Sequence, residues 1–133
     1  MLNEYPINPV VLQQSKGNEC LAKVLESALQ ISKEQLVNRC EELDISYSPM
    51  PWYAVPLISL TFGVYAFRVN ENYMGVNEFE DGVYAVLQCG SKILHASLLV
   101  VEDVAVMVDP KDLSKKVSFK SEGILKGYKF LYQ

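Results

Sequence analysis

The stretch HASLLVVEDVAVMVDP, residues 95–110, reads as two β-strands folded back on each other about Glu102 and Asp103. Branched and apolar residues fill both arms, and the acidic pair interrupts them where an antiparallel hairpin turns. A turn centred there sets Asp109 opposite His95 or one residue off, and directly opposed residues share a face of the sheet. An acid is therefore expected within reach of the chain's one histidine, on the side against which a preceding helix packs.

Outward from this hairpin the same period-two pattern recurs. Residues 64–69 (VYAFRV) and 82–89 (GVYAVLQC) read as strands, 71–79 as a connector, and KVSFK and GYKFLYQ as one or two further strands. Before Gly63 the period is helical. Gly17 reads as a turn residue, Asn18 as an N-cap and Glu19 as a first-turn acid. Leu21, Ala22, Val24, Leu25, Ala28 and Leu29 then recur at helical spacing, leaving Lys23 and Glu26 toward solvent. This predicts a helix over 19–30. Ser32 and Gln35 form a capping box that opens a second helix ending near Asp44, with Leu36, Val37, Cys40 and Leu43 on one face. Pro49, Pro51 and Pro56 point to a third helix, short or broken, that ends at Gly63. Helices first and antiparallel strands after define an α+β fold, N-terminal helices packed against a C-terminal antiparallel β-sheet. Residues 1–133 are expected to form a single domain.

Composition narrows the function. Half of the 133 residues are hydrophobic, enough for a sizeable core, and the net charge is −4. Acids and bases are scattered, which argues against nucleic acid as a partner. The densest basic stretch, 111–120, also holds Asp112 and reads as a solvated face. No run approaches the ~18 apolar residues of a membrane span, and the start lacks a secretory pattern. Three cysteines cannot all pair within the chain. A reducing, cytoplasmic setting is the expectation, although a protein exported by another route would look the same. One histidine and three widely spaced cysteines match no zinc spacing. No glycine-rich phosphate loop or nucleophile elbow is present. No cofactor and no metal are expected.

The residues that carry chemistry are Gln14, Cys20, His95 and Asp109. Cys20 falls in the first turn of the first helix, where open backbone N–H groups and the helix dipole favour a thiolate. The position equally suits a small apolar residue at the start of a buried face. His95 reads as a general base whose tautomer Asp109 fixes, or as an ordinary strand histidine. Asp109-Pro110 also reads as a strand terminator. Gln14, with Gln13 as its rival, stands six residues before Cys20 and would supply an oxyanion donor. Cys40 and Cys89 read as structural.

On these residues the chain resembles the papain-like cysteine peptidases of the bacteriocin-processing, double-glycine-cleaving type. QSKGNECLAKVLESAL is similar to that family's glutamine and acid-cysteine helix start, and HASLLVVEDVAVMVDP to its histidine strand, turn and Asp-Pro. The likeness runs from about Gln14 to Pro110. It implies Cys20 as nucleophile, His95 as general base and acid, Asp109 as its orienter and Gln14 as oxyanion donor. The chain departs from the pattern at Leu21, where the family carries glycine, and at Ala96, where it carries a bulkier residue. The resemblance thus implies a cysteine hydrolase, peptidase or acyltransferase, acting on a peptide or protein. The alternative is an inactive papain-like module that binds peptide or protein, drawing on Leu21 and on Trp52, Tyr53, Tyr65 and Tyr73. A chance coincidence of the four residues in an ordinary α+β protein is the third possibility. The sequence leaves the oligomeric state open.

Overall fold

The computed structural model describes residues 19–69, 80–89, 94–102, 105–109, 112–118 and 124–132. For 88–89, 94–95, 105, 107–109, 112–118 and 124–126 it describes the backbone alone.

Helix α1 (Cys20–Leu29) begins one residue after the expected start, with Glu19 at the N-cap and no side-chain capping bond. It ends at Gln30 in the left-handed region (φ 56°), whose N–H closes the last turn on the Glu26 and Ser27 carbonyls. The expectation that Lys23 and Glu26 face solvent is corrected. They are 5% and 3% exposed, and every residue from Leu21 to Leu29 is buried. A helix enclosed on all sides has no solvent face for its charges, so they must pair internally.

Helix α2 (Lys33–Leu43) carries the predicted capping box. Ser32 Oγ accepts from the Gln35 N–H at 3.1 Å, and Gln35 Oε1 accepts from the Ser32 N–H at 2.9 Å. Only Leu36 and Cys40 are buried, so α2 presents one narrow stripe to the core. The third helix is broken as expected: one 3-10 turn (Trp52–Ala54), then α3 (Val55–Thr61). Pro56 sits in the first turn of α3, where its missing N–H costs no helical hydrogen bond. Gly63, at φ +79°, makes the turn into the sheet.

The strands are β1 (Tyr65–Arg68), β2 (Gly82–Cys89), β3 (Leu94–Val101), β4 (Ala105–Asp109), β5 (Asp112–Ser118) and β6 (Ile124–Leu131). They form one sheet in the order β1-β6-β2-β3-β4-β5, with every pairing antiparallel. The last strand thus enters between the first two. At Gly127 the fit is close: a Cβ there would lie 3.0 Å from the Ala85 carbonyl oxygen and 3.2 Å from Val69 Cγ2.

The core lies between the helices and one row of the sheet. Ala22, Val24, Leu25 and Ala28 of α1, Leu36 of α2 and Ile58 of α3 cluster with Val83, Ala85, Leu98, Val100, Tyr128 and Phe130. The alternate row, including Tyr84, Val86, Leu99 and Val101, is buried as well. The Tyr132 hydroxyl donates to the Ala28 carbonyl at 2.8 Å and ties the end of the sheet to the last turn of α1. Among the described residues no helix is long and apolar enough to cross a membrane.

Candidate active site

Cys20 is the first residue of α1, and the helix it opens lies against β3 and β2. The amides of a helix's first turn lack intrahelical acceptors, so they and the macrodipole favour an anion there. The Lys23 N–H already bonds back to the Glu19 carbonyl at 2.9 Å, which closes the first turn around Cys20. Cys20 is half-buried and packs on the core's edge, whereas Cys40 is 1% exposed. Burial raises the Cys40 thiol above its ordinary range. Leu21, where the resembled family has glycine, is 5% exposed and belongs to the core cluster.

His95 lies on β3 and its backbone pairs with Gln88 of β2. Asp109 ends β4 and pairs with Asp112 across an irregularity in the ladder. The hairpin is longer at its turn than expected. Val101 pairs with Ala105 and Leu98 with Val108, so residues 102–104 span the turn. A three-residue connection moves Asp109 to the level of Ser97, two residues from His95 instead of opposite it or one off. The ladder also separates two rows on β3. Ala96, Leu98 and Val100 pair with Leu87, Ala85 and Val83, the row whose Ala96, Leu98, Val100, Val83 and Ala85 join α1 in the core. His95 takes its register position in the other row, with Ser97 and Leu99. Gln14 lies outside the described residues, and of the four only Cys20 has a described side chain.

A polar cluster beside Cys20 was not anticipated from the sequence. Lys23 Nζ donates to both carboxylate oxygens of Glu26 at 3.3 Å and lies 3.7 Å from Glu19 Oε1. Lys33 of α2 reaches the same Glu19 oxygen at 3.7 Å and stands over the Tyr47 ring. The Tyr47 hydroxyl donates to Glu26 Oε2 at 2.6 Å and to Glu19 Oε1 at 3.5 Å. Burial first, and then the Glu26 hydrogen bond and the two carboxylates, push the Tyr47 phenol far above its usual range. It therefore stays a donor across the working pH range. The positions 19, 23 and 26 do recur at helical spacing, which is the one sequence signal for the cluster. Nothing local in the sequence brings Tyr47 to it.

No model of a known protein family matches the chain, and no curated protein sequence does either. Among the described residues no group of histidine, cysteine and acidic side chains is arranged to hold a metal ion.

Proposed function

We propose that the chain is a cysteine hydrolase or acyltransferase of papain-like architecture, acting on a peptide or protein. The observation that carries this reading is Cys20: a half-buried thiol at the first position of a helix laid against the strand that bears His95. In this mechanism His95 takes the thiol proton and the Cys20 sulfur attacks an acyl carbon. The oxyanion is held by the Cys20 N–H and the Gln14 side chain. His95 returns the proton to the leaving amine, and water or another acceptor then cleaves the thioester. Asp109 orients the imidazole. Leu21, the departure from the family pattern, is buried in the core cluster.

Peptide-resolved labelling with iodoacetamide tests the reading. Cys20 is expected to react ahead of Cys40 and Cys89, and His95→Ala to slow Cys20 by about tenfold or more. Equal labelling of the three thiols, or no effect of the histidine change, contradicts it.

A second reading, a papain-like module that binds peptide or protein without cleaving it, is favoured by two observations. His95 occupies the ladder row alternate to the one packed on α1. Tyr53, Leu57 and Leu60 recur at helical spacing, and with Tyr65 and Phe67 of β1 they are the exposed large apolar residues among the described ones. Trp52 is instead half-buried, its ring 4.9 Å from that of Tyr128, and Tyr73 lies outside the described residues. Under this reading Cys20→Ala leaves the biological activity intact.

A further inference from the structure

Strand β1 is the outermost strand of the described sheet and pairs with β6 on its inner side. An outer strand offers backbone groups to any chain that lies alongside it, and proteins commonly block it with lysine, proline or a bulge. Tyr65–Arg68 carries none of these: the register with β6 is unbroken over the four residues, and Arg68 at the end is the only charge. The alternation of the backbone fixes which groups the edge offers. The Val69 N–H donates to the Gly127 carbonyl on β6 at 3.0 Å, and Phe67 and Tyr65 share that orientation. The Ala66 N–H and carbonyl therefore point to the outer edge. Val64, of the same parity as Ala66, agrees, since its N–H meets the Ser59 carbonyl of α3 at 3.0 Å.

The side chains about this edge are apolar. Ala66 packs toward the core, so Tyr65 and Phe67 take the opposite face, where they are 47% and 45% exposed. On the helix side α3 lies against β1, and Tyr53, Leu57 and Leu60 are 76%, 49% and 51% exposed. These five are all of the exposed large apolar residues among the described ones. Their uncovered surface comes to roughly 500 Å². Doubled across a symmetric contact it reaches roughly 1,000 Å², the least that a specific interface buries.

We propose that this edge joins two copies of the chain, β1 pairing antiparallel with β1 of a second copy about a two-fold axis at Ala66. The two Ala66 residues then exchange N–H···O=C bonds. Tyr65 of each copy lies opposite Phe67 of the other, at the closer spacing that favours aromatic cross-strand pairs. A register centred on Phe67 would instead set the two Arg68 side chains diagonal to each other, a like-charge contact that the Ala66 register avoids. The axis is perpendicular to the sheet, so both α3 helices come to the same face of the joined sheet, where Leu57 and Leu60 of the two copies cover each other. The contact is isologous and closes at two copies. A loose peptide suits the edge less well, because four residues of strand give few hydrogen bonds against the entropy of ordering it. A second copy brings its strand and helix already in place. The pairing is independent of the chemistry assigned to Cys20, which opens the helix lying against β2 and β3.

Sedimentation velocity of the full chain, kept reduced so that no thiol cross-links two copies, tests this. Between about 1 and 500 µM the wild type is expected to pass from monomer to dimer, with a midpoint of about 10 to 100 µM. Phe67→Lys puts a charge on the aromatic face of the joined strands and is expected to weaken the dimer about tenfold or more. Ala66→Pro removes the N–H offered at the axis, at an outward position that an edge strand tolerates, and is expected to have a similar effect. Leu60→Glu, on the helix side, weakens the dimer less, by about threefold or more. Far-UV circular dichroism and a melting curve establish that each variant is folded. If Ala66→Pro does not fold, Phe67→Lys and Leu60→Glu decide, since both side chains are about half exposed in the single chain. A wild type that stays monomeric at the highest concentration overturns the proposal and leaves the edge to an extended peptide or another protein. A dimer of unchanged strength in the folded variants overturns it as well, by placing the contact on another surface.

Discussion

Helices α1 and α2 are of nearly equal length, ten and eleven residues, and both begin beside an acidic residue, yet they live in opposite surroundings. In α2 two side chains are buried and the rest face water or lie at the boundary. In α1 all but the first residue are buried, lysine and glutamate included. The difference is one of topology. α2 is an outer layer, held by Leu36 and Cys40 and by its capping box. α1 lies against the centre of the sheet, contacting β2 and β3, and is also met by α2 and α3. Charges on α2 are ordinary surface groups. Charges on α1 are structural, and the only residue of the helix that reaches the boundary is the thiol at its start.

Substitutions that break this contrast should separate into a graded series. Glu26→Ala removes the nearer of the two carboxylates that Lys23 meets at 3.3 and 3.7 Å, and is expected to cost about 4 kcal/mol in denaturant unfolding. The double change Lys23→Met with Glu26→Leu should cost far less than either single change, because an apolar pair of similar volume removes both desolvation penalties. Leu25→Ala, at a fully buried position, is expected to cost about 3 kcal/mol, measured the same way. Ser32→Ala removes the cap of α2 and should cost about 1 kcal/mol. Glu42→Gln, which breaks the 3.0 Å pair with Arg39 on the exposed face of α2, should change stability by less than about 0.5 kcal/mol. A surface pair on α2 that proved as costly as the buried pair on α1 would erase the distinction.

Alkaline pH sharpens the same contrast from another side. The Tyr47 phenol is raised in the folded protein by burial and by Glu26 and Glu19, above an unfolded value near 10.0. The neutral form is the one the fold favours. Its contribution is therefore complete below pH 10 and declines as the pH rises and the unfolded chain ionises. Stability of the wild type should fall more steeply above pH 10 than that of Tyr47→Phe, as read from urea midpoints at several pH values. Parallel curves would detach Tyr47 from the cluster.

Local signals carried much of the architecture. The capping box at Ser32 and Gln35 located the start of α2, and the bounds of β2, between Gly82 and Cys89, are those the sequence suggests. Glycine, proline and capping groups act within a few residues, so they survive any tertiary context. What escaped the sequence is non-local. The entry of β6 between β1 and β2 has no signature in either strand. Strand β5 starts at Asp112, among lysines and a serine that read as a solvated face. The fate of Lys23 and Glu26 depends on what covers the outer side of α1, and a helical period assigns that side to solvent by default. For the site, the position of Cys20 at a helix start was legible because helix starts are locally encoded. The alignment of His95 with Asp109 was misjudged, since one extra residue in the β3–β4 turn shifts the whole register.

The central claim is that Cys20 and His95 act on each other. The chain's one histidine makes this directly measurable, because its ring protons can be followed by NMR without assignment ambiguity. A titration of the His95 ring in the wild type and in Cys20→Ala decides the matter. A thiolate–imidazolium pair predicts a His95 midpoint that falls when the cysteine is removed, since the imidazolium loses its anionic partner. Superimposable titration curves in the two proteins would contradict it.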